Sequence, residues 1–151
     1  MKISKEFRWE MGHRLPFHEG LCRNIHGHSY YMIVEIEGEL NDKGMIIDFY
    51  DLGKAVKPII EEFDHAFLCW EGDNEVKKFL EKNNMKRVIV NYHSTVENIC
   101  NDFVSRIQSK LSKIKGNKFK SLTVKVSETP NSVAEKTVLF PDFVIPAKAG
   151  I

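Results

Sequence analysis

Apolar residues recur at every second position near the start of the chain, where Ile3, Phe7, Trp9 and Met11 share a parity with His13 at the end of the row. A period of two belongs to a strand with one buried face. The alternation returns over 28–37, with His28, Tyr30, Met32, Val34 and Ile36 on one side and Ser29, Tyr31, Ile33, Glu35 and Glu37 on the other. The spacing predicts strands over 3–11 and 27–38, joined by a loop over 12–25 and followed by a turn over 39–45. The period then becomes helical: Leu52, Val56, Ile59, Ile60 and Phe63 form a stripe over 49–63, with Asp48 placed to cap it. A second stripe, Val96, Ile99, Cys100, Phe103, Val104, Ile107 and Leu111, predicts a helix over 95–113. Ser94-x-x-Glu97 has the form of a capping box at its start, and Gly116 is a stop signal after it. Residues 64–85 read as irregular apart from a short helix near 74–83. Strands are predicted over 86–91, 120–128 and 136–140. The order implies an α+β domain, an antiparallel four-stranded sheet with two long helices packed on one face.

Composition narrows the class. A chain of 151 residues suits a single domain over 1–151, with a tail from about 141 that is expected to be irregular. A net charge of +1 leaves no footprint for nucleic acid or a membrane surface. No apolar run is long enough to span a bilayer, and the N-terminus lacks the apolar core of a signal peptide, so a cytoplasmic protein is expected. Three irregularly spaced cysteines argue against a disulfide scaffold and fit a reducing compartment. Cys69 and Cys100 sit in apolar surroundings and read as inert buried thiols. An open sheet keeps edge strands, which invite pairing with a second subunit.

The chemistry gathers in Cys22-x-x-x-His26-Gly27-His28. On a strand, His26 and His28 project to one face, and pairing with the first strand would bring His13 to them. Three imidazoles and an open position make a catalytic zinc site, with one Zn²⁺ per subunit expected. Cys22 would set a thiolate beside it. If the site were closed by a fourth protein ligand such as Cys22, the metal would be structural instead. Asp64-His65 closes the first long helix. The pair has the makings of a proton shuttle, and also of ordinary polar residues at a helix end. Glu128 continues the inward parity of Leu122, Val124 and Val126. A carboxylate there needs a partner, either a protein cation or the flat N–H edge of a 2-amino-4-oxo pyrimidine ring. Glu97 and Thr95 are explained by the helix start, and His18 and His93 as surface residues.

Taken together, these segments resemble the 6-pyruvoyl-tetrahydropterin synthase and 6-carboxy-tetrahydropterin synthase family. The matching pieces run from Phe7 to Leu15 and Cys22 to Tyr30, through Gly44–Phe49, Leu52 and Phe63-Asp64-His65, to Thr95–Asn98 and Val126–Thr129. The resemblance implies the tunnelling fold, a homohexamer with active sites at subunit interfaces, and a pterin triphosphate substrate. It implies that His13, His26 and His28 hold zinc and that Cys22 is the general base, working with Asp64 and His65. Glu128 would anchor the pterin ring with help from Thr95 and Glu97. The short gap between Cys22 and His26 favours the branch that makes 6-carboxy-tetrahydropterin for queuosine biosynthesis. The alternatives are the pyruvoyl branch and a zinc-containing pterin-binding protein without turnover. Arg14, Arg23 and Lys54 are expected near the triphosphate. The segment around 70–90 and the sequence Leu68-Cys69-Trp70 depart from the family pattern.

Overall fold

The computed structural model describes residues 1–141. The expectation of an irregular tail falls, beyond Pro141, outside them. Strand β1 (Lys2–His13) and strand β2 (His26–Gly38) form an antiparallel hairpin in which Trp9 faces Tyr30, Met11 faces His28 and His13 faces His26. Helix α1 (Phe49–Phe63) follows, capped by Asp48, whose carboxylate accepts the Tyr50 N–H at 2.7 Å. Strand β3 (Ala66–Trp70), helix α2 (Asn74–Lys82) and strand β4 (Arg87–Val90) come next, then helix α3 (Val96–Ser112) and the hairpin of β5 (Phe119–Thr129) with β6 (Ser132–Leu139).

The sheet has six strands in the order β4-β3-β1-β2-β5-β6. This corrects the expected four-stranded antiparallel sheet: β1 pairs parallel with β3, and β3 parallel with β4. The omitted strand is Ala-Phe-Leu-Cys-Trp, which does not alternate because both of its faces are covered. Leu68 joins the main core, while Cys69 packs with Val76 and Leu80 of α2 on the opposite side. The helices therefore do not all lie on one face. Strand β6 begins four residues earlier than the alternation suggested, and most of its residues are exposed, as suits an edge.

The main core lies between α1, α3 and one face of the sheet. Phe7, Trp9 and Met11 of β1, Tyr30, Met32, Val34 and Ile36 of β2, and Leu122, Val124 and Val126 of β5 meet the two helical stripes there. Phe103 stands at the junction, with its ring centroid 5.2 Å from that of Trp9 and 4.8 Å from that of Phe63. Across β1, β2 and β5 the apolar rows end, on this helix-covered face, in His13, His28 and Glu128. Polar side chains thus replace apolar ones at one end of the core. No helix among the described residues is long and apolar enough to cross a membrane.

Candidate active site

His13, His26 and His28 each offer a ligand atom within 4.8 Å of the other two, so the cluster can hold a metal ion. The hairpin register brings them together, since His13 is opposite His26 and His28 is two residues further along the same face. His13 is 1% exposed. Its Nδ1 lies 2.8 Å from the Ser94 carbonyl oxygen and 3.0 Å from the Ser94 hydroxyl. A carbonyl only accepts, so this Nδ1 carries a proton and Nε2 is left facing Glu128, where a neutral ring presents a lone pair and a charged ring a proton. His26 is fixed in the same way, its Nδ1 2.7 Å from the Asn24 carbonyl. Holding one ring nitrogen with a carbonyl is how ligating imidazoles are oriented. The Nε2 atoms of all three rings are buried without a hydrogen-bond partner. Burial pushes the pKa of His28 below its ordinary value, against the pull of Glu128, which favours the neutral form that a metal needs.

Glu128 completes the cluster. Its Oε1 is 3.3 Å from His13 Nε2, 3.5 Å from His28 Nε2 and 3.5 Å from the hydroxyl of the fully buried Tyr30. His13, before the opposing effect of burial, holds this carboxyl below the ordinary carboxylate range. Burial, with the negative Glu128 nearby, pushes the Tyr30 phenol up, so that it stays a donor. Lone pairs facing a carboxylate repel one another unless a proton or a cation lies among them. The donor set therefore fits a divalent metal, and three imidazoles match the chemistry of zinc.

Cys22 sits in a single 3-10 turn, Leu21–Arg23, half-buried and outside the set of mutually close ligand atoms. Its carbonyl accepts the Leu15 N–H at 2.8 Å, which draws the loop between β1 and β2 together. Thr95 is the N-cap of α3, its hydroxyl accepting the Asn98 N–H at 3.3 Å. The cap is thus one residue later than the Ser94–Glu97 pattern suggested. Glu97 is exposed in the first turn.

Asp64 and His65 form a contact, with His65 Nδ1 3.0 Å from Asp64 Oδ2. The other carboxylate oxygen of Asp64 accepts the Glu10 N–H at 2.9 Å, and this bond is the main reason that its pKa is lowered. His65 has φ +58°, unusual for a residue with a side chain, and its N–H donates to the Glu10 carbonyl at 2.7 Å. The ring is 75% exposed and lines a cleft of about 370 Å³ to which Met11, His28 and Ala66 contribute, together with Glu10, Gly12, Gly27 and Ser29. Alternation puts those four residues on the face of the sheet opposite to the histidine trio. Gly12 and Gly27 are directly paired, so no side chain fills the floor of the cleft.

Two expectations change. Arg14 is not free to meet an anion: its guanidinium donates to both oxygens of Asp73, at 2.6 and 2.7 Å. Lys54 lies over the Tyr50 ring at 5.5 Å, and Arg23 is exposed in the 3-10 turn. His93 is not a plain surface residue, because its ring lies 4.4 Å from that of Trp70 and 4.7 Å from that of Phe17. Ser94, which fixes His13, went unrecognised; its contact depends on how two distant loops meet, and local sequence carries no signal of that.

The family described as 6-pyruvoyl tetrahydropterin synthase matches residues 2–137. The chain is 36% identical over 142 residues to the 6-carboxy-5,6,7,8-tetrahydropterin synthase of Haemophilus influenzae, covering 89% of this chain and 96% of that protein. It is 30% identical over 138 residues to the enzyme of the same name from Rickettsia bellii, covering 89% and 99%. Among solved structures, the 6-pyruvoyl tetrahydropterin synthase of Plasmodium falciparum superposes with a TM-score of 0.77 at 21% identity, covering 92% of this chain and 98% of that one. By sequence and by fold, the chain belongs to the 6-pyruvoyl tetrahydropterin synthase family.

Proposed function

We propose that the protein converts 7,8-dihydroneopterin triphosphate and one water to 6-carboxy-5,6,7,8-tetrahydropterin, triphosphate and acetaldehyde, with one Zn²⁺ per protomer held by His13, His26 and His28. The observation that carries this reading is the convergence of three orphaned Nε2 atoms and one carboxylate at the end of the core. The short Cys22–His26 spacing and the curated relatives named for the carboxy product support that branch over the pyruvoyl one.

When bound, the metal would supply Lewis acidity to the hydroxyl oxygens of the substrate side chain. The remaining work falls to the chain. Glu128 would accept two parallel hydrogen bonds from the 2-amino and ring N–H groups of the pterin. Thr95 and Glu97, at the start of α3, would border the ring. Cys22 as thiolate would take a proton from a side-chain carbon. His65, oriented by Asp64, would return a proton to another. The trio faces the helix-covered side of the sheet, whereas the cleft that His65 lines is walled chiefly by Glu10, Gly12, Gly27 and Ser29 of the other side, which favours a site completed by a second protomer. We infer a homohexamer with the site at subunit interfaces, in the cytoplasm.

The test is to incubate zinc-loaded protein with 7,8-dihydroneopterin triphosphate and identify products by mass spectrometry. 6-Carboxy-tetrahydropterin with acetaldehyde is the expected outcome. 6-Pyruvoyl-tetrahydropterin would move the protein to the pyruvoyl branch with its site intact. No turnover, with zinc bound, would refute the synthase reading and favour a zinc-containing pterin-binding protein.

A further inference from the structure

The loop over 14–25 begins one residue after His13, ends one residue before His26, and carries Cys22. Its shape is held at three places. Inside, the Leu15 N–H donates to the Cys22 carbonyl at 2.8 Å. At its start, Arg14 forms a two-pronged pair with Asp73, and its carbonyl accepts the Ser94 hydroxyl at 3.3 Å. Near its middle, the Phe17 ring meets His93, which in turn lies against Trp70.

Asp73 is no ordinary surface acid. It is 6% exposed and is the N-cap of α2, accepting the Val76 N–H at 3.4 Å. Its carboxylate therefore serves the helix and the guanidinium at once. Glu75, in the first turn of α2, adds a second carboxylate 3.5 Å from Arg14. With two acids beside it, Arg14 has little positive field left for a triphosphate. A planar guanidinium bound through two nitrogens is also fixed in orientation as well as distance. The backbone of Arg14 leads directly to the N–H that holds Cys22.

We propose that Arg14 is a positioning residue: through Asp73 it ties the Cys22 loop to helix α2 and sets where the thiol stands relative to the histidines. Helix α2, which lies in the segment that departs from the family pattern, is then a support for the active site and not a neutral insertion. The proposal rests on the catalytic role given to Cys22 above.

The experiment uses the zinc-loaded full chain carrying Arg14→Lys, which keeps the charge and loses the fork, and, separately, Asp73→Asn. Two quantities are read. One is steady-state turnover of the pterin triphosphate. The other is the rate of Cys22 alkylation by iodoacetamide, followed on its own peptide because Cys69 and Cys100 are buried. Each variant is expected to retain zinc and its circular dichroism, to lose about tenfold in kcat with KM little changed, and to change the alkylation rate by a similar factor. A KM raised about tenfold with kcat intact would overturn the proposal and make Arg14 a receptor for the triphosphate. Unchanged kinetics and unchanged alkylation would overturn it too, leaving the pair as a helix cap. If Asp73→Asn fails to fold, Arg14→Lys still decides, since it preserves the charge balance. The alkylation rate needs no turnover. A wild-type protein that is inactive, yet whose alkylation responds to Arg14→Lys, would refute the synthase reading and leave the positioning intact.

Discussion

Ser94 shows how much one buried residue contributes to a site that it does not enter. It is fully buried, and both its carbonyl and its hydroxyl lie within 3.0 Å of His13 Nδ1. The carbonyl selects the tautomer, and the hydroxyl restrains the ring. Ser94→Ala keeps the first and loses the second, so zinc affinity is expected to fall by about tenfold, at the low end for such supporting contacts. Competition with a chromophoric chelator would measure it. His28→Ala removes a ligand outright and is expected to leave substoichiometric metal by elemental analysis; full zinc content in that variant would refute the three-histidine assignment. The clustering of the three histidines was legible, because alternation fixes which of them share a face. Ser94 was not, because the contact joins residues 81 apart. His93 was misjudged for the same reason, its ring partners Phe17 and Trp70 being distant in sequence.

Among the elements, the two long helices were readable from period and caps alone, and α1 was found with the boundaries expected. Strand β3 was lost because a segment buried on both sides has no polar face to mark its period. Its parallel pairing with β1 is a property of topology and has no local signature. Helix α2 was readable, but the side of the sheet that it covers was not. Its capping pair with Arg14 has a consequence for acid stability. Asp73 titrates below its ordinary 3.8, chiefly because Arg14 donates to it. A depressed carboxylate contributes in full above 3.8, and the contribution is lost as pH falls through the lower folded value. Asp73→Asn is therefore expected to cost about 2 kcal/mol at neutral pH, less than a fully buried broken pair because Asn retains a hydrogen bond. The gap between wild type and variant should narrow below 3.8, as urea titrations at several pH values would show; a gap independent of pH would refute the assignment.

At the level of the whole molecule, the histidine trio ends the apolar rows of the helix-covered face, while His65 lines a cleft walled chiefly by residues of the other face. The proposed sharing of the site between protomers allows a test by complementation. His65→Ala and Cys22→Ala are each expected to be inactive alone, and mixing them under conditions that exchange subunits should restore part of the activity. Failure to recover any, with exchange verified by native mass spectrometry, would refute the shared site. The remaining consequence concerns the order of events in time. All three proposed zinc ligands lie in the first hairpin, within the first 28 residues, whereas Glu128 arrives a hundred residues later. A nascent or denatured chain can thus grip the ion before α3 or β5 exists. Metal that binds the unfolded state adds less to equilibrium stability than its native affinity suggests, yet it closes a loop that the folding chain must otherwise find by diffusion. Refolding from urea should therefore be faster with zinc present from the start than in its absence, while the gain in midpoint stays small. On this account the ion is a template for the growing chain before it is a reagent for the enzyme.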